Sequence, residues 1–231
     1  METITTKTED IKIAGELMMK HWKALKLNSD KNENWDKAFN FFEKRITTRY
    51  LNPIHEILNM DLNTGEGFAV VNLQCSLIET IESFHEGWIF HKNKYYHRII
   101  KSVKDCLKDP MNSKESMKGN HVFESFFKKR EPFKSCIPVI PNSFYSDVRC
   151  GLLHETQTKN EWVIKENKSI NIFYEEKNGE KIIYRSNFQR AILEVMENYK
   201  KAIVEGIDEK SGERRENFKA KFDHICESLN L

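Results

Sequence analysis

Residues 70–88 carry the pattern that most limits what this chain can fold into. Their apolar side chains recur every three or four positions, which is the spacing of one face of an α-helix. A second apolar row runs beside the first, so this helix must be buried on more than one side. The first row is Val70, Leu73, Leu77, Ile81, Phe84 and Trp88, and the second is Val71, Cys75 and Ile78. We therefore predict a mainly α-helical domain with this segment as its central helix.

Helical spacing of apolar residues recurs along most of the remaining chain. It predicts N-terminal helices within residues 1–60, including one over residues 9–27 and one over residues 35–50. The second of these is expected to end before Pro53, because a proline ring disfavours a helical conformation in the residue ahead of it. Further helices are expected at residues 55–60, 92–108, 122–130, 186–205 and 218–229.

Between residues 162 and 184 the pattern changes to that of β-structure. Runs rich in β-branched and aromatic residues occupy positions 162–164, 170–174 and 181–184. The string Lys177-Asn-Gly-Glu180 joins the last two runs, and an Asn-Gly pair favours the type I′ turn of a β-hairpin. We predict a small antiparallel β-hairpin or a three-stranded meander. It would form a β-rich insertion, residues 161–185, in a single domain that spans residues 1–231.

Composition excludes several classes of protein. Of the 231 residues, 39% are hydrophobic and 15 are Phe, which is enough apolar material for a packed core and argues against general disorder. Five cysteines without a C-x-x-C pair fit reduced thiols, so a cytoplasmic location is expected. The first residues lack the apolar run of a signal peptide, and nowhere do about 18 apolar residues run together. We expect a soluble protein with no membrane partner.

Positive charge is concentrated in one part of the chain. The formal net charge is only +2, but residues 92–134 contain 12 Lys and Arg against 5 Asp and Glu. Such a basic region suggests an anionic partner, with nucleic acid ahead of a membrane surface because no amphipathic Trp and Leu face accompanies it. A solvated basic face that only aids solubility is an equal alternative.

The predicted basic helix, residues 92–108, is the candidate RNA-binding surface. Tyr95 and Tyr96 lie among its cations, and an aromatic ring beside a cation can stack on an unpaired base. Aromatic residues at helical spacing are more often part of a core, and that alternative stays open. The cations on the outer face of this helix are Arg98, Lys101, Lys104 and Lys108.

A helix is also predicted after Pro141, where Asn142 or Ser143 can cap its first turn. Gly151 falls in the middle of this helix, where it costs about 0.5–1 kcal/mol relative to alanine. A close approach of another helix or of a ligand backbone would explain a glycine there. The inward face of the helix is Phe144, Val148 and Leu152.

The same helix carries a cation and an imidazole that could act together on a phosphate group. Arg149 and His154 would be offset by about 140° and by roughly 7.5 Å along an α-helix. Arginine is a permanent planar cation suited to phosphate oxygens, and histidine can accept or donate a proton near neutral pH. Metal-independent RNA cleavage needs a cation, an acid and a base, so two copies of the motif in a symmetric dimer would complete the set. The alternative is a salt-bridged arginine and a satisfied helix histidine.

Glu79, Glu82 and Glu86 form an acidic row along one edge of the central helix. A solvated face is the usual reason for such a row. If the central helix packs against the segment that contains Arg149, Glu79 or Glu82 would be a natural orienting partner for the guanidinium.

No cofactor and no metal is expected. The histidines at positions 85, 91 and 97 invite a metal site, but steps of six residues rotate each one by about 240° from the last. They therefore do not share a face of a helix.

The string Arg149-Cys-Gly-Leu-Leu-His154, on a helix of a mostly helical domain, resembles the R-x4-6-H signature of the HEPN superfamily (higher eukaryotes and prokaryotes nucleotide-binding). Its context, residues 144–156, resembles the version in bacterial HEPN proteins of phage defence and toxin systems, and the resemblance covers residues 65–160. It implies an α-helical bundle and a homodimer whose motifs face each other. It also implies metal-independent endoribonuclease activity with Arg149 and His154 as the catalytic pair. Supporting residues would be Glu79, Glu82, Cys150 and Glu155.

Two functions from different classes are predicted. The first is a metal-independent endoribonuclease that cleaves single-stranded RNA through a composite dimeric Arg/His site, in phage defence or a toxin system. An inhibitory or defence-system protein would be its further partner. The alternative is a non-catalytic HEPN module that binds RNA or nucleotides, or that acts as a regulatory dimerising partner.

Overall fold

The computed structural model describes residues 11–27, 32–60, 64–97, 117–206 and 210–228. Within them the fold is mainly α-helical with small β-sheets, as predicted. The helices are α1 (Met19–Lys23), α2 (Asn32–Ile46), α3 (Asn52–Met60), α4 (Glu66–His85), α5 (Gly119–Lys129), α6 (Arg185–Val204) and α7 (Ser211–Ser228). The strands are β1 (Lys12–Ala14), β2 (Leu17–Met18), β3 (Trp88–His91), β4 (Lys94–His97), β5 (Trp162–Lys165), β6 (Tyr174–Lys177) and β7 (Glu180–Tyr184). Two π-helical turns, Tyr145–Arg149 and Gly151–Glu155, form what we call the motif helix.

The central helix is α4. It packs against α3, α5, α6 and α7, and both of its predicted apolar rows lie in the core except Leu73, which is partly buried, and Trp88, which begins β3. The polar side chain of Gln74 is buried with them, and its amide nitrogen donates to the carbonyl of Arg185 at 2.9 Å and to Gln189 at 3.1 Å. These bonds satisfy the amide nitrogen and tie α4 to the start of α6, while the amide oxygen has no hydrogen-bond partner among the described residues.

Aromatic rings join the elements that carry the motif helix. Phe144 precedes that helix and contacts Phe127 of α5, with ring centroids 5.0 Å apart. It also contacts Trp162 of β5 at 5.4 Å and stacks on Phe188 of α6 at 5.9 Å. Burying one such ring stabilises a fold by roughly 1.5–3 kcal/mol. This cluster therefore holds the motif helix between α5, α6 and the β5 sheet.

The N-terminal part of the chain is not the long helix that we predicted over residues 9–27. Within the described part of that range, β1 and β2 form an antiparallel pair and only Met19–Lys23 is helical. Gly15, between the two strands, has a φ of +56°, a left-handed conformation that glycine adopts without the strain of a side chain and that an α-helix does not contain. The chain therefore reverses direction where helical spacing suggested that it would continue.

The predicted end of the second helix before Pro53 is also wrong. The chain stays helical from α2 through a π-helical turn, Thr47–Leu51, into α3. Proline lacks an N–H donor, and its ring clashes with the carbonyl four residues earlier in a regular α-helix. The widened π-turn lies ahead of Pro53, where that clash would arise.

Residues 92–97 do not form the start of a basic helix. They belong to a hairpin in which β3 pairs with β4, with Phe90 opposite Tyr95 and His91 opposite Lys94. Lys92 and Asn93 have φ values of +46° and +62°, as both central residues of a type I′ turn require. The rest of the predicted helix, including Arg98, Lys101, Lys104 and Lys108, lies outside the described residues.

The β-rich insertion contains the predicted hairpin but not a meander. β6 and β7 are antiparallel and joined at Asn178 and Gly179, both with positive φ, as the Asn-Gly pair predicted. The third strand, β5, pairs with β7 in parallel, so the strand order is β5-β7-β6. A parallel partner cannot be joined by a tight turn. Trp162 of β5 and Ile183 of β7 face the core.

Candidate functional site

The motif helix is anchored through the inward face predicted for it. Phe144, Val148 and Leu152 are all buried. Asp147 is buried as well, and its carboxylate accepts hydrogen bonds from Ser146 at 2.9 Å and Asn160 at 3.1 Å. These contacts leave the opposite side of the helix free to face a cleft.

The winding of the motif helix changes which residues share a face. The N–H of Cys150 bonds to the carbonyl of Tyr145, and the N–H of Thr156 bonds to that of Gly151, so each bond joins residues five apart. A regular α-helix joins residues four apart. Arg149 and His154 are themselves five apart. The π-winding therefore brings them closer to one face than the α-helical offset that we predicted.

Another part of the main chain lies close to Gly151, as expected. It is not a second helix or a ligand backbone but the segment that follows the motif helix. A Cβ atom on Gly151 would lie 2.5 Å from the carbonyl oxygen of Gln157, which belongs to the segment following the motif helix. Thr156 has a φ of +57° and turns the chain back at this point. The glycine therefore lets the next segment fold against the motif helix, and no other helix or ligand is needed to explain it.

Arg149 is held by a carboxylate of α4. Its Nε donates to Oε1 of Glu79 at 2.8 Å, and the other oxygen of Glu79 accepts from the Tyr95 hydroxyl at 3.1 Å. Burial opposes the charge of Arg149, but the hydrogen bond and charge of Glu79 outweigh it and raise the pKa of the guanidinium. Burial and Glu79 likewise raise the pKa of Tyr95, so this hydroxyl stays protonated. Of the two carboxylates that the sequence offered, Glu79 is the partner of Arg149.

Glu82 has a different partner. It is fully buried and forms two hydrogen bonds with Arg130, from Nε at 2.7 Å and from Nη2 at 3.0 Å, and it also accepts from Ser125. Arg130 is bonded to Glu86 as well. The prediction that Glu82 supports Arg149 is therefore not met, and Glu82 instead joins α4 to the end of α5.

Tyr145 is a neighbour of Arg149 that the sequence analysis missed. The guanidinium carbon of Arg149 lies 6.0 Å from the centre of the Tyr145 ring. The ring rests on Gly119 at the start of α5, where a Cβ atom would come within 2.5 Å of the hydroxyl oxygen. Burial and the adjacent Cys150 thiol raise the pKa of Tyr145. Its position four residues before Arg149, on the same face of a helix, was the signal that could have found it.

His154 lies at the exposed end of the motif helix. Among the described residues it forms no hydrogen bond and no ion pair, so its ring nitrogens are open to a ligand. Glu155 is exposed and forms a salt bridge of 3.3 Å with Lys159, which leads away from Arg149. Cys150 is partly buried beside Tyr145. Neither Glu155 nor Cys150 forms a hydrogen bond or an ion pair with the Arg149 side chain.

Arg149 and His154 line one cleft, which has a volume of about 820 Å³. The cleft is also lined by four polar residues of α4 whose spacing places them on one face of that helix. This face of α4 therefore forms the floor of the cleft. They are Ser76, Glu79, Thr80 and Ser83. The motif helix contributes Tyr145, Arg149, Leu153 and His154, and the remaining basic lining comes from Arg45, Arg49, Lys221 and His224.

The cleft has a surplus of positive charge. Burial and the charge of Arg49 lower the pKa of Arg45 to about 10, and burial and Arg45 lower the pKa of Lys221 to about 8. Within the described part of the chain, no carboxylate pairs with Arg45, Arg49 or Lys221. Partly buried cations without a paired carboxylate favour an anionic ligand. These three residues could not be grouped from the sequence, because no local pattern links α2 and the following turn to α7.

The predicted stacking role is not met at Tyr95. Its ring is buried against Phe90, at a centroid distance of 5.1 Å, and its hydroxyl is bonded to Glu79. Tyr96, the next residue of β4, is partly buried and does not line the cleft. Phe90 does line the cleft, and 54% of its surface is exposed. Among the described Phe, Tyr and Trp residues that line the cleft, Phe90 is the one with an exposed side chain.

Two kinds of feature are absent from the described ranges, a helix that could cross a membrane and a cluster of metal-ligating side chains. No helix there is long and apolar enough to cross a bilayer. No group of three or more His, Cys, Asp or Glu side chains there is arranged to hold a metal ion.

Comparison with protein-family models, with curated proteins and with solved structures found no match in any of the three. The chemistry of the cleft must therefore be inferred from its own residues.

Proposed function

We propose that this protein is a metal-independent endoribonuclease of the HEPN type that cleaves single-stranded RNA, with Arg149 and His154 as its catalytic residues. The observation that carries the proposal is that both side chains line one cation-rich cleft. Arg149 is oriented there by Glu79, and His154 is exposed.

The reaction assigns a separate task to each residue. The 2′-hydroxyl of one ribose attacks the adjacent phosphorus, and the bond from phosphorus to the 5′-oxygen of the next nucleotide breaks. A base takes the proton of the 2′-hydroxyl and an acid gives a proton to the leaving 5′-oxygen, which leaves a 2′,3′-cyclic phosphate and a 5′-hydroxyl. Glu79 occupies Nε of Arg149, so the terminal nitrogens can bond to the phosphate oxygens as negative charge develops.

A dimer supplies the second proton-transfer group. One imidazole is not suited to act as base and acid in the same step, whereas two facing copies of the motif place two His154 side chains at one phosphate. Leu153, beside His154, is a large apolar residue with 47% of its surface exposed. Its position at the cleft suits an interface that brings two motif helices together.

The biological setting is proposed from the resemblance of residues 144–156 to HEPN proteins of phage defence and toxin systems. An RNA-cleaving protein of this kind would stop growth when it is expressed alone. A partner that inhibits it would cover the cleft or hold two chains apart. Growth arrest that depends on His154 is the expected consequence in cells.

The second candidate is a module that binds RNA or nucleotides without cutting them. It is favoured by the basic residues from α2 and α7, which attract an anion without any help from His154. Under this alternative His154→Ala leaves the ligand bound as tightly as before, and neither protein converts it.

Cleavage of a labelled single-stranded RNA in excess EDTA tests the proposal. We expect products with 2′,3′-cyclic phosphate ends, and we expect His154→Ala to abolish cutting while thermal stability stays the same, because this side chain is exposed. The matched control is His55→Ala, which removes another exposed histidine that does not line the cleft. Uncut RNA with wild-type protein, or equal cutting by the His154 variant, would refute the proposal.

A further inference from the structure

A second basic cluster lies in the cleft apart from the motif helix. It consists of Arg45 of α2, Arg49 of the following π-turn and Lys221 of α7. None of these elements contributes to the anchoring of Arg149, whose partners are Glu79 and Tyr145. The cleft therefore contains cations from two independent sources.

The segments that carry the two sets of cations contact α4 on different sides. Arg149 bonds to Glu79, whereas Tyr50, which follows Arg49, bonds through its hydroxyl to Thr80 at 3.2 Å. Glu79 and Thr80 are successive residues, so they point about 100° apart around the helix axis. The cleft lies between these two contacts on α4. A ligand that lies along α4 would therefore contact both sets of cations.

Main-chain carbonyls hold two of the three cations. Nη1 of Arg45 donates to the carbonyl of Ile13 at 2.5 Å, and Nζ of Lys221 donates to the carbonyl of Trp88 at 2.6 Å. Arg49 is exposed, and among the described residues it has no hydrogen-bond or ion-pair partner. The cluster thus has two fixed cations and one that is free to close on a ligand.

The charges of the cluster are not balanced within the described ranges. Neutral carbonyls accept from Arg45 and Lys221, and no described carboxylate forms an ion pair with either one. Burial and the repulsion of Arg49 lower the pKa of Arg45, and burial and the repulsion of Arg45 lower the pKa of Lys221. A bound anion would remove the repulsion. A phosphate group matches the need, since it offers several acceptor oxygens and a full negative charge.

We propose that Arg45, Arg49 and Lys221 bind a second phosphate of the same nucleic-acid strand whose scissile phosphate lies at Arg149 and His154. The proposal rests on the proposed function and adds a second contact between the cleft and the RNA substrate. A polynucleotide strand fits this arrangement, because its backbone carries a phosphate at every step, whereas a free mononucleotide has no second phosphodiester for the second cluster. Phe90, at the edge of the same cleft, offers its ring to a base of that strand.

Binding of an oligonucleotide that cannot be cut tests this inference separately from catalysis. A 2′-O-methyl oligonucleotide lacks the attacking hydroxyl, so its affinity can be measured by fluorescence anisotropy over a range of salt concentrations. We expect Arg49→Gln to weaken binding by roughly three- to tenfold. We also expect it to make the slope of log K against log salt shallower by about 0.7, the value for one phosphate contact in a single strand.

Two further variants sharpen the result. Lys44→Gln removes an exposed cation from the same helix outside the cleft, and it should leave both affinity and slope unchanged. Lys221→Gln removes the charge but keeps a hydrogen-bond donor on the side chain, and it should act like Arg49→Gln on both affinity and slope.

The outcomes separate this inference from the proposed function. Unchanged binding by Arg49→Gln and Lys221→Gln would refute the second phosphate site even if the wild-type protein cuts RNA. A mononucleotide that binds as tightly as the oligonucleotide would refute it too. Weaker binding by both variants, with RNA left uncut by the wild-type protein, would support the site and refute the nuclease.

Discussion

Nε of Arg149 lies 2.8 Å from Oε1 of Glu79, although the two residues are 70 positions apart in the chain. This contact joins the motif helix to the central helix α4. The contact uses Nε, the guanidinium nitrogen that is bonded to Cδ, and leaves the two terminal nitrogens for a ligand. Glu79 is therefore a positioning residue for Arg149, and Tyr95 fixes the second oxygen of the same carboxylate.

Glu79→Gln should reduce RNA cleavage by about tenfold or more, because the neutral amide holds the Arg149 fork less firmly. The pair is partly exposed, so the free energy of unfolding should fall by only about 1–2 kcal/mol. Steady-state kinetics and urea unfolding measure the two effects. Glu155→Gln, which removes an exposed carboxylate bonded to Lys159, is the control and should change neither. Normal cleavage by Glu79→Gln would contradict the positioning role.

Glu82→Ala should show the opposite pattern to Glu79→Gln. Removing this fully buried carboxylate leaves Arg130 without its main partner, so we expect a loss of about 3–5 kcal/mol in the free energy of unfolding. Cleavage per folded molecule should stay close to that of the wild type. Chemical unfolding and activity at a temperature where the variant is folded would check both. A stable variant with lost activity would place Glu82 in the site after all.

Gly151→Ala tests the close approach behind the motif helix. The new Cβ would lie 2.5 Å from the carbonyl oxygen of Gln157, so the segment must move, at a cost of about 1–3 kcal/mol. Gly212→Ala is the matched control, because it lies in α7 with open space around its Cβ position and should raise stability by up to about 1 kcal/mol. Thermal melts of the two variants should therefore shift in opposite directions, and equal shifts would refute this explanation of Gly151.

Lys221 should make the free energy of unfolding depend on pH in the alkaline range. Its folded pKa, about 8, is below the value of about 10.4 expected in the unfolded chain. Between these values the unfolded chain binds more protons, so this contribution to the free energy of unfolding rises with pH from about 8 to 10 and is constant below 8. We expect a rise of about 2 kcal/mol between about pH 8 and 10, since one pKa unit corresponds to about 1.4 kcal/mol. Urea unfolding at several pH values should show it in the wild type but not in Lys221→Met, and parallel curves would contradict it.

Mixing experiments test the composite site. In a dimer with two facing motifs, a chain with His154→Ala removes one imidazole from a site shared with its wild-type partner. Exchange of subunits in an equal mixture should therefore lower activity to well below half. The same mixture with His55→Ala, a histidine outside the cleft, should keep full activity. Activity of half the wild-type value in the first mixture would favour independent sites.

Several features could be predicted because they depend on residues close together in the chain. The apolar rows of α4, the inward face of the motif helix and the Asn178-Gly179 turn follow from local spacing and turn chemistry. The same spacing misled us over residues 92–97 and 11–18. There Asn93 and Gly15, each with positive φ, turn the chain back, and strand pairing replaces the helix.

The sequence by itself determined a central helix buried on several sides and a helix that carries Arg149 and His154. Only the tertiary structure decided which residues surround that pair. Glu79 and Glu82 lie three residues apart on one helix edge, and the rotation of α4 within the core sends one to Arg149 and the other to Arg130. Arg45, Arg49 and Lys221 meet in the cleft because α2 and α7 pack around the same helix as the motif. Contacts of this kind depend on long-range packing, which no local period encodes.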